Sequence, residues 1–148
     1  MSAVTELLLA AADRIEANPH LNPTAKVSAA FPRGILTMTV RAQLAGLRDD
    51  VAGAERVEHG ASLAADYYSR WYQGDRTAED SARYAATTSL RATAARRALR
   101  DAELAFEAAI VAAINLVGPI AVGTTRGQLA GRFRTVAADV SPVLAVAS

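Results

Sequence analysis

The 148-residue chain contains no cysteine. That excludes a disulfide framework, a thiolate nucleophile and any cysteine-ligated metal site. Aromatic residues make up only 5% of the chain, and the two histidines, His20 and His59, are far apart in sequence. Charge of one sign is also lacking: the net charge is +1, so bulk attraction to polyanions is absent. Lys26 is the one lysine among 16 basic residues, and the rest are arginine. This bias has the texture of a GC-rich genome more than of selection for a ligand. No glycine or proline lies between Asp75 and Val117. A long apolar run is missing as well. Ala108 to Thr125 carries no charge, but it is alanine-rich, holds Asn115 and is cut by Gly118-Pro119, whereas a spanning helix needs about 20 strongly apolar residues. The start of the chain has no basic segment and places Glu6 inside its apolar run, unlike a signal peptide. These absences lead us to expect no membrane association. The expected location is the cytoplasm, or the interior of a virion or another assembly.

What is present is alanine and a steady apolar rhythm. Apolar residues amount to 51% and charged residues to 21%, which argues for a folded core rather than disorder. The length fits a single helical domain over residues 1–148. Ala95, Leu99, Ala102, Phe106, Ile110, Ala113 and Val117 recur at steps of three and four, the mark of one amphipathic helix. Thr77, Glu79 and Asp80 suit its start, where the helix dipole favours anions. Gly118-Pro119 stops it.

A preceding arm has the same rhythm through Leu36, Val40, Leu44, Leu47, Val51 and Ala54. After one slip of phase it continues through Val57, Ala61, Ala64, Tyr68 and Trp71. The expected fold is therefore all-α: a long antiparallel helical hairpin, about 35–73 and 78–117, turning at residues 73–77, with shorter N- and C-terminal helices packed on it. Two seams share one register, in which facing residues keep a constant sum of residue numbers. The larger seam pairs Leu36 with Val117, Leu44 with Ala109, Leu47 with Phe106, Val51 with Ala102 and Ala54 with Leu99. The smaller pairs Gly46 with Ala105, Gly53 with Ala98 and Tyr67 with Tyr84. Small residues face to face predict close backbone approach and knobs-into-holes packing. The competing reading is that Gly46, Gly53 and Gly60 break the first arm, since each costs about 1 kcal/mol relative to alanine inside a helix.

In chain order, Ser2 caps a first helix to Ala17, with Val4, Leu7, Leu8, Ala11 and Ile15 on its apolar face. Its stretch LLLAAADRIEA resembles the openings of high-GC bacterial and phage proteins. A loop through Pro19 and Pro23 follows. Thr24 is expected to cap a short helix to about Phe31, ended by Pro32-Arg33-Gly34. Past Pro119, Ile120 to Val122 reads as a short extended piece. Thr124 or Thr125 then caps a helix bearing Leu129, Phe133, Val136 and Val140, which Ser141-Pro142 ends. Residues 141–148 read as an extended, uncharged C-terminal tail.

Chemistry-bearing patterns are few. No catalytic, cofactor-binding or metal-binding residue is assigned. Glu55, Glu58 and His59, with Asp66 and Tyr67 nearby, form the one grouping with acid–base or metal potential, but no HExxH or ExxH is present, and a solvated helix face is the plainer reading. Arg96, Arg97 and Arg100 form a basic patch with candidate phosphate contacts. Asp101, Glu103 and Glu107 beside it favour an ion-paired surface instead. Tyr67, Tyr68, Trp71 and Tyr72 gather at the hairpin tip, with Tyr84 opposite. Tyr and Trp anchor protein interfaces, and they also close small local cores.

The resulting expectation is a non-enzymatic interaction or assembly protein, a self-associating subunit of a larger complex such as a phage particle. Its partner is protein, a second copy of the chain first of all. The partner-binding residues are Tyr67, Tyr68, Trp71, Tyr72 and Tyr84. The alternatives are a helical nucleic-acid-binding regulator using Arg96, Arg97 and Arg100, and a small enzyme without a recognisable motif.

Overall fold

The computed structural model describes residues 2–18, 22–71 and 76–147, with side chains described up to Val140. The described chain is all-helical, with four helices: α1 (Ala3–Ala17), α2 (Phe31–Trp71), α3 (Arg76–Val117) and α4 (Arg126–Ala147). None is long and apolar enough to cross a membrane. The chain divides into two compact units, one of residues 1–43 with 104–148 and one of residues 44–103.

The first unit holds α1, the start of α2, the end of α3, and α4. Ser2 caps α1, its hydroxyl accepting from the Thr5 amide at 3.2 Å. The α1 apolar face, Leu7, Leu8, Ala11, Ala12 and Ile15, is buried, and α1 packs along α4. Leu129, Ala130, Phe133 and Ala137 of α4 share the core with Ile35, Leu36 and Val40 of α2 and Ala109, Ala113 and Val117 of α3. At the α1–α4 contact the Arg134 guanidinium donates to Asp13 at 2.8 Å and to Glu16. The hydrogen bond to Glu16 first, and that to Asp13 second, raise the Arg134 pKa above its ordinary value.

Three local expectations are corrected here. Residues 22–30 are not helical: both the amide and the hydroxyl of Thr24 donate to Asn22 Oδ1, at 3.0 and 2.7 Å, an Asx turn in place of a helix cap. Lys26 instead forms an isolated bridge with Thr125. Pro32-Arg33-Gly34 begins a helix rather than ending one. Proline in a first turn loses nothing, because first-turn amides have no partner within their own helix. The first long arm thus starts at Phe31, not near Ile35. Finally, α4 runs through Pro142 to Ala147, so residues 141–147 are helical rather than an extended tail. The missing amide removes one hydrogen bond without stopping the helix. The start of α4 is a reciprocal capping box: Thr125 Oγ1 accepts from the Gln128 amide at 3.2 Å, and Gln128 Oε1 accepts from the Thr125 amide at 3.0 Å.

Between α3 and α4, Gly118 and Gly123 have φ of 69° and 90°. Only glycine takes such values without strain. Residues 120–122 form no strand, and the one bridge at this end is Lys26 with Thr125. The Val117 carbonyl, left over at the end of α3, accepts from Arg132 Nε at 2.9 Å.

The second unit consists of α2 from Leu44 and α3 as far as Glu103. Gly46, Gly53 and Gly60 all lie inside uninterrupted helix. The expected turn at 73–77 falls on residues outside the described set, apart from Arg76 and Thr77, which already belong to α3.

Candidate functional site

The second unit carries its burial on one stripe per helix. On α2 the less exposed positions are Leu44, Leu47, Val51, Ala54, Glu58, Ala61, Ala65 and Tyr68, with Gly53 beside them. On α3 they are Ala78, Ser81, Ala85, Thr88, Ala92, Ala95, Leu99 and Ala102, with Arg96 beside them. Both stripes step three and four without interruption, the heptad rhythm of paired helices. The phase slip expected after Ala54 is therefore absent: the stripe passes through Glu58 and Ala65, while Val57 and Trp71 stay 48% and 72% exposed.

Glu58 explains the discrepancy. A carboxylate on a contact stripe needs a partner. Arg96 Nη2 of α3 supplies one at 3.2 Å, and Arg96 Nε lies 3.7 Å from Glu55. Arg48 lies 3.8 Å from Glu103. These three pairs join the arms with residue numbers running in opposite directions, as antiparallel helices require. Arg48 and Glu55 each follow an α2 stripe residue by one position, as Arg96 and Glu103 do on α3. All four therefore occupy the same flank of the pair.

The opposite flank is formed by the residues that precede the stripes. On α2 these are Asp50, Val57, Ala64 and Trp71; on α3 they are Tyr84, Arg91 and Ala98. All seven are exposed. Next to Trp71, Tyr67 is 53% exposed and meets Tyr68 edge-on, with ring centroids 5.4 Å apart. Tyr84 is also 53% exposed. Of the predicted partner-binding residues, then, Tyr67, Trp71 and Tyr84 lie open, Tyr68 is half-buried on the stripe, and Tyr72 lies outside the described residues.

The small-residue seam lies on this same open side and does not close. Ala98 is exposed, and a Cβ added at Gly53 would meet only Arg56 Nη2 of its own helix, at 3.8 Å. At Gly46 and Gly60 it would meet nothing within 4 Å. Close backbone approach at Gly53 is accordingly not found.

The arginine patch is divided. Arg96 is held by Glu55 and Glu58, while Arg97 and Arg100 are exposed and make no ion pair among the described residues. The Glu58–His59 grouping lines a shallow groove with Ser62, Ala85 and Ser89, but Glu58 is committed to Arg96. No group of three or more His, Asp or Glu residues able to hold a metal occurs among the described residues.

Sequence reading missed the cross-arm role of Glu58 and Arg96. The signal was present, since Glu55 and Arg96 meet in the register set by the smaller seam and Glu58 lies one turn along from Glu55. Scoring the stripe by hydrophobicity alone hid it. Comparison with protein-family models, with characterised proteins and with solved structures gives no match for this chain.

Proposed function

We propose that the chain is a self-associating assembly subunit, with α2 and α3 forming one antiparallel, coiled-coil-like hairpin that associates with a second copy through its unsealed flank. The observation that carries this reading is the asymmetry of the second unit. One flank is bridged by the ion pairs Arg48–Glu103 and Glu55–Arg96–Glu58, and the other, with no such bridge among the described residues, offers Val57, Ala64, Trp71, Tyr84 and Ala98. A stripe rich in alanine buries little apolar area, so two helices alone gain little from packing. A further pair of helices on the open flank would bury the aromatic anchors and complete a four-helix arrangement. Asp50 and Arg91 are its charged members and suit a polar rim. In this reading the two compact units belong to one helical domain, with the terminal helices packed on the start of α2 and the end of α3. The setting is a multi-subunit complex in the cytoplasm or a particle such as a phage.

The absence of cysteine permits a clean test. Ala64→Cys, on the open flank, should give a covalent dimer with a short bis-maleimide cross-linker. Asp49→Cys, on the outer face of α2, should remain a single chain. Equal cross-linking of both variants would refute the flank as the interface. A regulator working through Arg97 and Arg100 would instead bind duplex DNA with steep salt dependence.

A further inference from the structure

The first unit carries a second surface that self-association does not use. An open cleft of about 930 Å³ lies between the start of α2 and the end of α3. Its apolar lining includes Pro32, Met38, Ile114, Pro119 and Ile120. Two guanidinium groups line it as well, those of Arg33 and Arg41, and no acidic residue does. Neither arginine enters an ion pair among the described residues. Four arginines elsewhere find acids, namely Arg48, Arg83, Arg96 and Arg134. Two unpaired cations beside an exposed apolar floor leave the cleft complementary to something anionic and apolar at once.

The spacing selects the occupant. Arg33 and Arg41 are eight residues apart on one helix, which places their backbones about 12 Å apart along the axis. A single-headed amphiphile would engage one of them. A nucleic-acid backbone would engage both, yet gain nothing from Met38, Ile114 and Ile120. An amphipathic helix with two carboxylates two turns apart on one edge, and apolar side chains between them, uses all of these features. Met38 is 51% exposed, and its unbranched thioether can adjust to the apolar side chains of such a helix.

We infer that this cleft docks an acidic amphipathic helix of a partner protein, with Arg33 and Arg41 gripping its carboxylates and Met38, Ile114 and Ile120 receiving its apolar face. The site lies in residues 1–43 and 104–148, so its test is separable from self-association through residues 44–103.

The probe is a fluorescein-labelled helical peptide with glutamates two turns apart on one edge and leucines beside them, titrated with the full chain and read by fluorescence anisotropy. Micromolar binding is expected. It should weaken about ten-fold or more in Arg33→Glu/Arg41→Glu, and it should fall as salt is raised. The Arg33→Gln/Arg41→Gln variant should weaken binding less. Both arginines are exposed, so helicity by circular dichroism should remain that of the parent. The same peptide with lysines in place of its glutamates should not bind. Absence of binding, equal affinity for the lysine peptide, or unchanged affinity in the double variants would overturn the inference. Displacement of the peptide by decanoate would make the cleft an amphiphile pocket. Binding of duplex DNA that the Arg33→Glu/Arg41→Glu variant abolishes would make it a nucleic-acid site. Either result would also overturn the inference.

Discussion

Glu58 and Arg96 show how a charged pair sets helix register where apolar area is scarce. Both side chains are partly shielded, at 28% and 40% exposure. Removing the arginine strands a carboxylate on the contact stripe; removing both charges does not. Arg96→Ala should therefore destabilise the fold by about 1–3 kcal/mol in urea denaturation. Glu58→Leu/Arg96→Leu should match or exceed parental stability, because apolar replacement of a shielded pair is often neutral or stabilising. A double variant less stable than Arg96→Ala would show that the pair does more than satisfy itself. The glycines make a second case. Gly46 and Gly60 lie in helix interior with open space at the missing Cβ. Gly46→Ala and Gly60→Ala should each stabilise by about 0.5–1 kcal/mol, seen as a rise in melting temperature. A fall would mean that the open space is filled by a partner. At this scale the sequence was legible on α3, where the apolar rhythm keeps one phase, and misleading on α2, where Val57 and Trp71 are apolar but lie off the stripe and Glu58 is charged but lies on it. Glycine spacing suggested close approach at Gly53, yet Gly53 precedes the stripe residue Ala54 and so takes the open side of the contact.

Elements were easier to anticipate than their ends. Both long helices were legible because their three-four rhythm persists over many turns, and the Gly118-Pro119 stop fell at the observed end of α3. The start of α2 was misplaced because Pro32 reads as a breaker in sequence and is harmless in a first turn. Pro142 misled in the same way inside α4. The junction of α3 and α4 gives the sharpest expectations for single elements. Phe133 is fully buried, and Phe133→Ala should cost about 3–5 kcal/mol. Gly118→Ala forces a side chain into φ of 69° and should cost on the order of 1 kcal/mol or more, read in the same denaturation series. The Arg134 fork onto Asp13 and Glu16 raises the arginine pKa, so its stabilisation is complete below the ordinary arginine value and is lost only as pH climbs through the raised one. Thermal stability should therefore show no alkaline loss from this group anywhere below about pH 12.

At the scale of the whole molecule, exposed apolar residues are what the proposed self-association would draw on. Val57, Trp71 and Tyr84 are among its exposed large apolar residues, and so is the cleft residue Met38. Trp71→Ala should accordingly weaken association more than it lowers the melting temperature, since a residue 72% exposed contributes little to the fold of its own chain. The most direct test is sedimentation equilibrium across a concentration range on three proteins: the parent, Val57→Glu/Trp71→Glu on the open flank, and Leu63→Glu on the outer face of α2. Self-association through the flank predicts a parent heavier than 15.5 kDa, a flank variant at the single-chain mass with helicity retained, and a Leu63→Glu variant like the parent. A parent that stays at 15.5 kDa at every concentration, or a flank variant as heavy as the parent, would contradict it.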